Sequence, residues 1–267
     1  MPKDTGTEKK TRRSFLCKKM SFTIPSSWGE LTQQQLRFIF RLLAIYNTAD
    51  DWEYRVKLTA LIRFCNIRVQ KRTRMGWLCQ ERKTKKVFLL DERLLPSLVA
   101  HVDYLCQLDL LNVRLEQFNT YRACDFELQE LMFGEYLEAE NYFQSFLQTN
   151  KEESLKGLVN ILYGIKDDEN VRQYPQEILY GAFLWFSAAK MLLGKMFPHF
   201  LKPSEEASGQ VTQETLMENM RAQIRLLTKG DVTKNKYILE KTETWEALAE
   251  LDALAQEAEE IKLKYGK

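Results

Sequence analysis

Residues 131–163 read LMFGEYLEAENYFQSFLQTNKEESLKGLVNILY, and this stretch decides the fold class. It reads as two helices joined by a polar turn. Gly134 opens the first helix, whose apolar positions Leu137, Tyr142, Phe143, Phe146 and Leu147 return at helical spacing without forming a narrow stripe. Thr149 followed by Glu152 has the form of a capping box, in which a hydroxyl and a carboxylate satisfy the free N–H groups of a new helix. The second helix carries Leu155, Leu158, Val159, Leu162 and Tyr163 at i, i+3, i+4, i+7 and i+8. That is one continuous apolar face, so the two helices are expected to pack as a hairpin. No catalytic side chain sits on it.

Toward the N-terminus, within residues 112–130, a loop or short strand is read around Val113 to Tyr121. Residues 94–111 read as a helix, with Pro96 tolerated in its first turn. Before them, Trp77-Leu78-Cys79-Gln80 and Val87-Phe88-Leu89-Leu90 flank Glu81-Arg82-Lys83-Thr84-Lys85-Lys86. This pattern predicts a β-hairpin with a basic tip, the one sheet expected in the chain. Val56, Leu58, Ala60, Leu61 and Phe64 mark the buried face of a helix that Thr48 can cap. Asp50, Asp51 and Glu53 stand at its start, where the helix dipole favours acids. Thr32 with Gln35 forms another capping box, and Leu36, Ile39, Phe40, Leu42 and Leu43 define a helix to about Tyr46. Trp28, in the turn before it, reads as an anchor packed on that helix and, second, as a binding spot.

Toward the C-terminus, Pro175 starts a long helix from Gln176 to about Phe200. Residues 178–186, ILYGAFLWF, are apolar all round, the mark of a helix buried on several sides. Lys190 and Lys195 weaken a transmembrane reading, because a bilayer span needs about 20 nearly uncharged residues. Residues 202–211 have the composition of a linker. A helix over 212–227 ends at Lys229-Gly230-Asp231. In the last helix, 242–264, the residues Ala247, Leu251, Leu254, Ala258, Ile261 and Tyr265 step by 4, 3, 4, 3, 4. That is a heptad seam with Glu on its flanks, suited to a partner helix, a second copy in a homo-oligomer, or the protein's own body. The expected organisation is a basic disordered tail (1–20), a helical core domain (21–201), a linker (202–211) and a C-terminal helical segment (212–267). The expected fold is mainly α, a multi-helix bundle of amphipathic helical hairpins with one small β-hairpin.

The 267 residues are 45% hydrophobic, enough for a real core, with only 11 Gly and 6 Pro, which favours long helices over a turn-rich β fold. The net charge of +2 is unevenly spread. Basic residues dominate 1–20 and 67–86, and the rest of the chain is acidic on balance. The first 20 residues have the charge of a signal-peptide n-region but no apolar stretch after it, and Met20 offers an alternative start. Five cysteines, Cys17, Cys65, Cys79, Cys106 and Cys124, occur singly, which suits reduced thiols in a cytoplasmic compartment. The two histidines, His101 and His199, are far apart, and no metal or other cofactor is expected. Phosphate loops, nucleophile elbows and HExxH are missing, so the expectation is no enzymatic activity.

Three segments together carry a resemblance: SFTIPSSWGELTQQQLRFIFRLL (21–43), the LMFGEYLEAENYFQSFLQT…NILY hairpin, and MRAQIRLLTKGDVTK…TETWEALAELDALAQEAEE near the end. They resemble uncharacterised proteins of phages and prophages of Bacteroides-type bacteria, encoded among tail genes. The FGEY opening and ILY close are similar to helical proteins credited with assisting tail or baseplate assembly. The resemblance implies a tail-assembly-chaperone-like protein in the bacterial host cytoplasm, with tail or baseplate proteins as partners and no catalytic residues to carry over. Candidate contact residues are Trp245, Leu248, Leu251 and Leu254, with Trp28 behind them. One alternative is a structural component that stays in the virion tail. The other is a nucleic-acid-binding protein using Arg68, Lys71, Arg72, Arg74, Arg82, Lys83, Lys85 and Lys86. The acidic body and the lack of a recognition helix speak against nucleic acid.

Overall fold

The computed structural model describes residues 21–166, 171, 173–201 and 213–265. The expected tail at 1–20, the alternative start at Met20 and the linker at 202–211 lie outside the described residues. Helices α1 (Gln33–Tyr46) and α2 (Trp52–Phe64) lead into an antiparallel sheet of β1 (Ile67–Thr73), β2 (Gly76–Glu81) and β3 (Val87–Leu90). After α3 (Leu95–Ala100) come two-residue strands β4 (Gln117–Phe118) and β5 (Tyr121–Arg122). The hairpin follows as α4 (Phe133–Thr149) and α5 (Glu152–Leu162), then α6 (Gln176–Met196), α7 (Gln213–Thr228), α8 (Asn235–Lys241) and α9 (Thr244–Tyr265). The fold is mainly α with small antiparallel sheets, as the amphipathic pattern predicts.

The core is built around α6. Ile178, Leu179, Ala182, Leu184, Trp185, Phe186, Ala189 and Leu193 are all buried, and no residue from Glu177 to Lys190 is exposed; only toward the end, at Met191, Lys195 and Met196, does this helix meet water. Helix α1 covers one side, and Gly181 is the reason it can come so close. A Cβ at Gly181 would stand 2.5 Å from the ring of Phe40, itself fully buried. Helices α4 and α5 cover another side, where Phe183 stacks on Phe143 at 5.3 Å and meets Phe146 edge-on at 5.1 Å. At the start of α6, Glu177 accepts two hydrogen bonds from the Arg41 guanidinium of α1, at 2.8 and 3.2 Å. Burial, the largest single influence, raises the Glu177 carboxyl, but the Arg41 hydrogen bonds, a backbone hydrogen bond and the charges of Arg41 and Arg37 together outweigh it and hold it below the ordinary 4.5.

The hairpin packs as its pattern requires. Leu155, Leu158, Val159, Leu162 and Tyr163 are all buried, while Leu147 on α4 points to solvent. The turn between the helices differs from expectation. Thr149 stays in α4 and donates its hydroxyl to the Ser145 carbonyl at 2.7 Å. The turn is made instead by Asn150 in the left-handed region (φ 52°), a conformation Asn tolerates at a helix end. The Thr32–Gln35 box at α1 is present. Thr48 caps nothing: α2 starts at Trp52, and Asp51 precedes it without a side-chain cap.

Two larger departures have physical causes. Residues 94–111 are not one helix. α3 ends at Ala100, and two short 3-10 turns follow at Asp103–Cys106 and Leu108–Leu110. The break frees the Gln107 carbonyl to accept the Trp28 indole N–H at 3.3 Å, and it buries Val102 and Leu105 completely. Strand β1 is the second departure, because it turns a hairpin into a three-stranded sheet. Residues 112–130 are tied down by side chains from the end of α5 and from α6. Tyr163 donates to the Leu115 carbonyl at 2.8 Å and Trp185 to the Phe126 carbonyl at 3.0 Å.

Candidate functional site

The residues singled out for contact fall into two groups, and the fold treats them differently. The first group lies mostly on α9. Leu248 (0% exposed) and Leu251 (1%) are taken up by the main core, together with Ala247. Trp245 is half-buried, edge-on to Phe197 at 5.6 Å, and donates its indole N–H to the Glu127 carbonyl at 2.8 Å. Trp28 is buried against Phe40 and Tyr104, so it serves as the anchor of the first helix. Leu254 is half-buried.

Several polar contacts tie α9 to the body, from Thr244 as far as Glu259. Asp252 Oδ1 accepts the backbone N–H groups of His199 and Phe200, at 2.8 and 2.9 Å, just past the end of α6. His199 Nδ1 lies 3.2 Å from Glu259. At the start of α9, Thr244 sits fully buried and bonds through both its N–H and its hydroxyl to the Leu131 carbonyl. Beyond Leu254 the seam leaves the body. Ala258 is exposed, as are Ile261 (58%) and Tyr265 (81%), which continue the line of Ala247 and Leu251. One apolar line is thus covered for its first two turns and open for the rest.

The second group is the basic segment. All eight of its cations are exposed. Arg72 is paired with Glu92 at 2.8 Å, and Glu92 also accepts the Trp77 indole N–H at 2.9 Å. Arg74 lies in the turn between β1 and β2. Of the other six, Arg68, Arg82, Lys83, Lys85 and Lys86 lie toward the opposite end of the sheet and Lys71 near its middle. Sequence reasoning located both groups but did not find Asp252, Thr244 or Glu177, whose partners are remote in the chain.

Among the described residues no cluster of His, Cys, Asp and Glu could hold a metal ion. The four described cysteines are free thiols, and burial pushes those of Cys65 and Cys106 up to about 11, which makes them poor nucleophiles. No described helix is long and apolar enough to cross a membrane. A cleft of about 540 Å3 lies between α4, α7 and α8, lined by Leu137, Met220, Ile224 and Leu239 with Glu135, Glu138 and Glu240 at its sides. No family model, no curated protein and no solved structure matches this chain.

Proposed function

We propose that the protein is a non-enzymatic assembly protein of a phage tail or baseplate, working in the host cytoplasm through helix-mediated contacts. The observation that supports this most directly is the open part of the α9 seam: beyond the half-buried Leu254, Ala258, Ile261 and Tyr265 form an exposed apolar line on a helix that is anchored to the body. A rigidly based helix with an uncovered seam suits helix-to-helix recognition, because the partner need not order it first. The resemblance of the 21–43, hairpin and C-terminal segments to tail-region proteins supplies the class of partner.

The test is affinity capture of the full chain coexpressed with tail and baseplate proteins, alongside a variant carrying Ile261→Asp and Tyr265→Asp. The wild type is expected to retain a tail or baseplate protein and the variant to lose it with an unchanged melting curve. Capture of none of them, or equal capture by the variant, rejects the reading. Mass spectrometry of purified particles separates an assembly factor, absent from the particle, from a structural tail component.

A further inference from the structure

We propose that the outer face of the β1–β2–β3 sheet, with the hairpin tip between β2 and β3, binds the phosphate backbone of duplex nucleic acid. Partners across an antiparallel pair share a face, so the register sorts the side chains. Trp77 pairs with Leu90 and Cys79 with Phe88, and these four pack toward Leu61, Cys65 and Val99 of the α2–α3 layer. Arg68 pairs with Gln80, Lys71 with Leu78, and Leu78 with Leu89, so these residues line the other face. The tip is held against that face. Gln80 Nε2 donates to the Lys85 carbonyl at 3.2 Å, and the Arg82 N–H donates to the Asn66 carbonyl at 2.9 Å.

Six exposed cations therefore stand together: Arg68, Lys71, Arg82, Lys83, Lys85 and Lys86. Among the described residues none of the six forms an ion pair. The acids that flank this sheet in the chain are already engaged. Glu92 holds Arg72, Asp91 holds Arg93 at 2.6 Å, and Glu81 accepts the Thr84 hydroxyl. Cations on an edge strand also discourage pairing with other chains. That need accounts for β1 but not for the four cations in the tip, which has no open edge to protect.

Charge complementarity selects a polyanion, and the absence of rings selects its form. Single-stranded nucleic acid is bound on aromatic platforms where bases stack. Here Trp77 and Phe88 face inward, so the outer face offers cations, Gln80 and aliphatic side chains but no ring. A duplex needs no stacking partner and presents about one charge per 1.7 Å of its axis. From Gln80 to Leu78, the partners of Arg68 and Lys71, is about 7 Å along the strand. Adding the tip extends the patch over several phosphates.

The test is fluorescence anisotropy of a mixed-sequence DNA duplex of about 20 base pairs with the full chain, in a salt series starting at about 50 mM. Binding should weaken with salt, with a log–log slope of about −3 to −5 for six cations in partial contact. Joint replacement Arg82→Ala, Lys83→Ala, Lys85→Ala and Lys86→Ala should cost more than about tenfold in affinity and reduce the slope by about 2–4. Arg68→Ala with Lys71→Ala, both on strand positions open to solvent, should reduce the slope by about 1–2 with an unchanged melting curve. Arg74→Ala, at the far end of the sheet, should change affinity less than about twofold. Absence of duplex binding at the lowest salt overturns the proposal, as does unchanged affinity in both multiple variants. Tighter binding of polyglutamate than of the duplex overturns it in favour of an acidic protein surface.

Discussion

Helices α6 and α9 are nearly the same length, 21 and 22 residues, yet the fold uses them in opposite ways. From Glu177 to Lys190 α6 has no exposed residue, covered by α1 on one side and by α4 and α5 on another, and its last turns, at Met191, Lys195 and Met196, meet water. α9 carries a single apolar line, covered only as far as the body reaches. Burial of a helix is thus set by what its neighbours can supply, and its own pattern states only what it could bury. A helix in the first situation is part of the scaffold. A helix in the second holds unspent contact area where it leaves the scaffold.

The sharpest way to break this comparison is to place the same charge on the two halves of one seam. Leu251→Asp puts a carboxylate in the core and should cost about 4 kcal/mol or more. Ile261→Asp, on the open half, should change stability by less than about 0.5 kcal/mol. Chemical denaturation of both variants reads the difference; similar losses would mean that the far half is also covered. The next largest effect belongs to α6. Gly181→Ala drives a methyl into the Phe40 ring, which is fully enclosed and has no room to give. A loss of about 1–3 kcal/mol is expected, and an unchanged melting temperature would show that α1 can shift away from α6.

The smallest effect tests the clamp between the same two helices. Glu177→Gln removes the charge that Arg41 and Arg37 face, at 2.8 and 3.9 Å. Hydrogen bonds to charged groups contribute about 1.5–3 kcal/mol. Arg41 is more than half exposed, so solvent screening reduces the expected cost to about 1–2 kcal/mol. The pH dependence has a definite sign. The folded carboxyl is depressed below its ordinary 4.5, so its contribution is complete above that value and is lost as pH falls through the folded-state value. Wild type should therefore lose more stability than Glu177→Gln between neutral pH and about pH 3. Parallel loss in both would remove Glu177 from the account.

Where the sequence was legible, a single period dominated. Leu155 to Tyr163 repeat on one face, and that face is buried; Thr32 and Gln35 sit three apart, and both halves of their box form. Strand β1 was invisible for the opposite reason. Arg68, Val69, Gln70, Lys71 and Arg72 are all exposed, and a bulge between Val69 and Lys71 shifts the alternation, so no two-residue period survives. The break in 94–111 depends on Trp28, remote in the chain, and local pattern does not contain it. The same limit applies to the sites. The seam of α9 can be read from spacing, but how far it is covered depends on where α4 and the end of α6 stop. The basic segment can be counted, but that Arg72 is paired depends on Glu92 arriving from the next turn.

The joint between Leu131 and Thr244 has a consequence for the order in which the molecule can be completed. The N–H of Phe133, at the head of α4, donates to the Thr242 carbonyl, and the Leu131 carbonyl receives both donors of Thr244. These residues are 113 positions apart. At about 5–20 residues per second of synthesis, the head of α4 waits about 6–23 s for the strand-like segment that closes it. During that interval the hairpin can form its own interface, but its first turn is left to water. The seal on the head of the hairpin is thus made by a segment that is synthesised 113 residues later.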